Sequence, residues 1–136
     1  MPESISLEKA EKILSEVHPN REFKLHLGAN LKSLYELCEA LDIMSEASFS
    51  HHVTKQKNDF ANWIRDVIGD IKLAHHVDKI KRKKDINDAV KLRIKELERV
   101  SYHSMLGDEL RAGAREFLAG VIVGFIVGVI VHVLVG

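Results

Sequence analysis

The sequence predicts an all-α protein: a small multi-helix soluble domain followed by a single C-terminal transmembrane helix. Three observations lead there. Apolar residues recur at helical spacing through the first hundred positions, and no alternating strand pattern competes with them. All 20 Lys and Arg and all 20 Asp and Glu residues of the 136-residue chain precede Phe117. The chain then closes on FLAGVIVGFIVGVIVHVLVG, with no charge at all. The expected division is a soluble α-helical domain over 1–106, an amphipathic juxtamembrane stalk over 107–116 and a transmembrane helix over 117–136.

Each helix has local signals. Ser6 caps a first helix with the stripe Leu7, Ala10, Ile13, Leu14 and Val17, expected to stop at His18-Pro19, since proline disfavours helix before it. EFKLHLG reads as a linker, and Gly28 and Asn30 introduce NLKSLYELCEALDIM, with Leu31, Leu34, Tyr35, Leu37, Cys38 and Leu41 on one side. Ser45, Asn58 and Asp70 are caps for three short helices, and Gly69 supplies a left-handed stop between the last two. Asp85 opens a longer helix whose Ile86, Val90, Ile94, Leu97 and Val100 face inward and whose Lys and Arg face out. A bend is expected near Gly107. No repeat or low-complexity linker divides the first hundred residues.

Composition limits the function. The formal net charge is zero, so no global field points to a nucleic-acid partner, and none is expected. A lone cysteine, Cys38, has no partner for an internal disulfide, and its place in an apolar stripe makes it a small buried hydrophobe rather than a nucleophile. MPESISLEKAEK lacks the apolar core of a signal peptide, so export by that route is not expected.

The block MSEASFSHHVTKQKNDFANWIRDVIGDIKLA, preceded by GANLKSLYELCEAL, resembles a family of small uncharacterised prokaryotic, especially archaeal, helical domains. The resemblance runs over residues 23–80 and rests on His51-His52-Val53, the run Lys57 to Ile64 and Gly69-Asp70. It implies a helical fold and a prokaryotic source. It carries no assigned activity and so no catalytic residue.

Eight histidines raise a metal or haem reading, sharpened by the pairs His51-His52 and His75-His76. Adjacent helix positions point about 100° apart, so a pair rarely gives two ligands to one ion. A site would need one His from each pair and a carboxylate such as Asp59 or Asp78. The plainer expectation packs one His of each pair and leaves the other in water, with no cofactor. Asn58 and Asp59 look polar enough for catalysis, yet they stand where a helix cap and a first-turn acid belong. No enzyme is expected. Trp63, alone on an apolar face, reads as a core anchor.

KIKRKK is the one dense basic run. Lys79, Lys81, Arg82, Lys83 and Lys84 read first as a solvated connection, and otherwise as a contact for anionic lipid. Acidic residues follow at once and no aromatic is interleaved, which argues against nucleic acid.

From Phe117 to Val135 a helix would be roughly 28 Å long, enough to cross the hydrocarbon core. Gly120, Gly124, Gly128, His132 and Gly136 lie on one i,i+4 row, the pattern by which membrane helices approach closely and pair. Near the helix end, His132 reads as an interfacial imidazole. Arg111 and Arg115 flank the near side. The expectation is a single-pass tail anchor in the membrane with the helical domain in the cytoplasm. It would homo-oligomerise through the glycine row and act as a binding or scaffold module for a cytosolic protein partner.

Overall fold

The structure, a computed structural model, describes residues 4–136. Met1 to Glu3, the start of the stretch read for export, lie outside the described residues. Among the described residues six α-helices follow in order: α1 Leu7–Leu14, α2 Leu34–Ile43, α3 Glu46–His52, α4 Asp59–Trp63, α5 Ile71–Asp78 and α6 Lys83–Val135. A 3-10 turn, Pro19–Arg21, precedes the 23–31 loop, and a π-turn, Ile64–Ile68, continues α4. The fold is all-α, with one long apolar C-terminal helix.

The caps are those the local chemistry selects. Side chains of Ser6, Ser45, Asn58 and Asp70 accept from the backbone amides of Lys9, Ser48, Ala61 and Leu73. Each satisfies a first-turn N–H that lacks an intrahelical partner. Gly69, at φ 85°, takes the left-handed conformation that stops the π-turn, and its amide donates to Ile64 O at 2.8 Å. Only glycine adopts that φ without a steric penalty.

Of the boundaries that differ from the expected ones, two have a clear cause. α1 ends at Leu14 rather than at His18, because Ser15 turns back onto Lys12 O and the Val17 amide donates instead to Lys32 O at 2.7 Å. α2 starts at Leu34 rather than at Asn30. Leu31 is taken by an antiparallel bridge with Phe23, and Ser33 caps the helix by accepting from the Glu36 amide.

The chain falls into two units, Met1–Ser101 and Tyr102–Gly136. In the first, Ile13, Leu34, Leu37, Leu41, Phe60 and Ile64 meet Val77, Ile86, Val90 and Leu97 in one core. The α6 residues 86, 90, 94 and 97 recur at helical spacing, so one face of its first part covers that core. Cys38 is buried in it, and burial pushes the thiol up to about 11, so it stays protonated near neutral pH. Trp63 is buried too, its ring edge-on to Phe23 and its Nε1–H donating to Arg21 O at 2.9 Å.

Polar ties lock the elements of this unit. The Asn58 amide nitrogen donates to Val77 O at 3.0 Å while its oxygen caps α4, which joins the start of α4 to the end of α5. Tyr35, expected on the inward stripe, is instead 40% exposed, and its hydroxyl donates to Glu98 on α6 at 2.8 Å. Burial first, then that carboxylate, pushes the phenol up to about 12. Arg93 also departs from expectation. It is buried and forks onto Asp70 through Nε and Nη2 at 2.7 and 3.2 Å. Arg93 can face the core because Asp70, the α5 cap, waits there with its charge.

The second unit is helical from Tyr102 to Val135, and Gly107, near which a bend was expected, lies within that helix without ending it. One glycine among good helix formers costs about 1 kcal/mol, too little to end a helix whose neighbours all favour it. None of the residues from Leu118 to Val135 is buried.

Candidate functional site

A hollow in the first unit lies between the 25–31 loop and the α2–α3 corner. It has a volume of about 550 Å³ and is lined chiefly by Leu25, Leu27, Leu31, Ala40, Ile43 and Met44. Its charged lining is acidic only, Glu36 and Glu39. Leu31, Ala40 and Met44 are buried, whereas Leu27 and Ile43 stand 82% and 86% exposed.

The loop wall is held by α3 through both main-chain polar groups of His26. The His26 amide donates to His52 Nε2 at 2.9 Å, and the Ser48 hydroxyl donates to His26 O. Ser48 and His52 are four apart on α3, so both reach the same side of that helix. Above them the chain turns through Leu27 at φ 56°, the one non-glycine residue with positive φ among the described residues. A left-handed leucine costs about 1–2 kcal/mol. The loop bears that cost because Phe23, His26 and Leu31 are anchored on either side.

His52 is itself oriented from below. Its Nδ1 lies 3.1 Å from Asp59 Oδ2, and Lys57 Nζ holds the same oxygen at 2.9 Å. With Nε2 accepting from an amide, the proton belongs on Nδ1, donated to the carboxylate. Phe23 and Phe60 lie against the ring at 4.9 and 5.3 Å. Burial is the largest influence and lowers the His52 pKa below the ordinary value, outweighing the opposing pull of Asp59. The amide at Nε2 acts in the same direction, since it needs a free lone pair. A His–Asp pair is the geometry of a general base, but here the nitrogen that would take a proton, Nε2, already accepts from the main chain.

The other histidines are placed differently. His51 is exposed and stacks on His26, with centroids 4.0 Å apart and rings 9° from parallel. His75 and His76 are both exposed in the last turn of α5, not one in and one out, because Leu73, Ala74 and Val77 already fill its inward face. Among the described residues no three His, Cys, Asp or Glu side chains converge as a metal-binding group.

Most of the basic run is committed to the protein itself. Lys81 donates to Thr54 O at 3.1 Å, and Lys83 donates to Met44 O at 2.7 Å and pairs with Glu46. Arg82 and Lys84 pair with Asp85 and Asp88 along α6. Among the described residues the Lys79 side chain alone of the five has no polar partner. On the apolar helix, a methyl group added at Gly120, Gly124 or Gly128 would meet open space, and His132 is exposed.

Sequence reading did not find the groove, the His26 latch or the Asp70–Arg93 pair. One signal was available: Ile43 falls on the opposite side of α2 from Leu37 and Leu41, where a large aliphatic has no core to enter.

The geometry thus defines an all-α protein with, among the described residues, one helix long and apolar enough to cross a membrane, and a latched groove in its helical unit. No protein-family model, curated protein or solved structure matches the chain.

Proposed function

We propose that this is a membrane-anchored helical binding module, its N-terminal unit in the cytoplasm, that pairs with a second copy through the Gly120–Gly124–Gly128 row and recruits a protein partner. One observation carries the anchor. From Phe117 to Val135 the helix carries no charge, and its Val, Ile, Leu and Phe side chains are exposed all round. Water-soluble proteins rarely leave a contiguous apolar surface of that extent uncovered, and lipid is the solvent that covers it. Arg111 and Arg115 before the span favour a cytoplasmic near side. Pairing is favoured because lipid is as apolar as Val and Ile, so close backbone approach over glycine is what attracts one helix to another.

The test is flotation with liposomes, extraction at alkaline pH and protease protection in sealed cells. The full chain should float, resist extraction and keep its N-terminal unit from external protease. Release by alkali would remove the anchor, and digestion without lysis would reverse the orientation.

A further inference from the structure

We infer that the groove between the 25–31 loop and the α2–α3 corner docks a short apolar segment bearing lysine or arginine, of the kind that flanks the cytoplasmic end of another protein's membrane helix. This rests on the reading of the chain as a membrane-anchored module and supplies the partner that reading leaves open.

The lips of the groove favour an apolar occupant. Leu27 and Ile43 stand in water and line the same hollow as the buried Leu31, Ala40 and Met44. Single exposed aliphatics are ordinary, but two facing one hollow are anchors for something that fits between them. Leu27 is held there in a left-handed conformation that it would escape if the loop were free. Strain of this kind gathers at ligand clamps. The latch on His26 keeps the loop from relaxing inward to fill the space with its own leucine.

Charge selects among apolar occupants. Of the two acids in the lining, Glu36 is engaged, accepting from the Lys32 amide at 2.6 Å. Glu39 is exposed, and among the described residues it makes no hydrogen bond or ion pair. The nearby Asn30 side chain is turned away to Glu22. An incoming cation therefore finds a free carboxylate beside an apolar floor, and an anionic segment or lipid headgroup meets like charge. At about 550 Å³ the hollow takes a few side chains rather than a domain.

Which proteins present such a segment follows from the anchor. Cytoplasmic flanks of membrane helices are enriched in Lys and Arg, and they adjoin apolar residues where the helix meets the interface. An anchored module meets them at high effective concentration. A second copy's own basic run is a poor candidate. Its Ile80 is packed against the core, and Lys81 and Lys83 are bonded to Thr54 O and Met44 O.

The test uses the full chain in phosphatidylcholine nanodiscs and three fluorescein-labelled decapeptides: alternating Leu and Lys, alternating Leu and Glu, and alternating Ser and Lys. Empty discs give the background. The Leu/Lys peptide should bind at least tenfold tighter than either control, and Ile43→Asp should weaken it at least tenfold. Glu39→Lys should weaken the Leu/Lys peptide and strengthen the Leu/Glu peptide, an inversion that general loss of structure does not produce. Both positions are exposed, and unchanged far-UV circular dichroism checks the fold. Equal binding of the two Leu peptides, or a preference unmoved by Glu39→Lys, overturns the inference. So does crosslinking through Ile43→Cys that joins two copies and excludes the peptide. Flotation separates the two levels: a chain that floats but ignores all peptides loses only the docking site, whereas a chain that does not float loses the module reading itself.

Discussion

His52 accepts the His26 amide at Nε2 and faces Asp59 through Nδ1, so one ring ties the groove's loop to two helices. The tie requires neutral imidazole. Protonation would set an N–H against an N–H and charge a ring packed between Phe23 and Phe60, with His51 and Lys57 adding repulsion and Asp59 alone opposing it. Because the folded pKa lies below the unfolded value of about 6.5, the unfolded chain takes up the proton first. The stability gained is complete above about pH 6.5 and is lost as pH falls from there through the folded value. Urea unfolding of the full chain in mild detergent, followed by Trp63 emission, should show this loss between pH 7.5 and 5. His52→Gln should flatten the dependence, and the protection factor of the His26 amide, its exchange corrected for the intrinsic effect of pH, should fall in acid. A protection factor at His26 that does not change with pH would mean that the loop is held by other contacts.

Arg93 and Asp70 form a buried forked pair that also caps α5. Removing one partner strands the other, so Arg93→Ala should cost about 3–5 kcal/mol. The double variant Arg93→Met with Asp70→Asn removes both charges and keeps a capping side chain. It should be markedly more stable than Arg93→Ala, and equal stabilities in urea titration would contradict the account.

Asn58 accepts at the α4 cap and donates to Val77 O. Asn58→Ala loses both, and about 2 kcal/mol or more is expected from a lost cap together with a buried unpaired carbonyl. Asn58→Asp keeps the cap but brings an acceptor against that carbonyl. It should be no better than alanine, which thermal melting of the two variants decides.

Trp63 separates packing from hydrogen bonding. Trp63→Ala should cost about 3–5 kcal/mol, as large core truncations do. Trp63→Phe keeps most of the packing against Phe23 and loses the bond to Arg21 O, for about 1 kcal/mol before any cavity effect. In the parent, emission should be blue-shifted and shielded from acrylamide.

The glycine row is tested apart from the helical unit. Gly124→Leu and Gly128→Leu should weaken self-association in detergent across a dilution series, while Val127→Leu, off the row, should do so much less. Melting of the first unit should hardly move in any of them. Dimers that persist unchanged in both glycine variants would reduce the row to ordinary membrane-helix composition.

What the sequence determined by itself was local. Ser6, Ser45, Asn58 and Asp70 cap the helices they were expected to cap, and Gly69 stops the π-turn at positive φ. These outcomes depend on partners within a few residues, as does the apolar periodicity of α2 and of the first part of α6. The charge-free span from Phe117 was equally legible, because composition and length suffice for it. The tertiary structure decided the rest. Val17 left its helix for Lys32 O, and Leu31 left its own for Phe23. Arg93 turned inward to an acid 23 positions away, and His52 reached an amide 26 positions away. A spare lone pair or charge is visible in a sequence, but the group that satisfies it is chosen only when folding brings distant segments within hydrogen-bond reach.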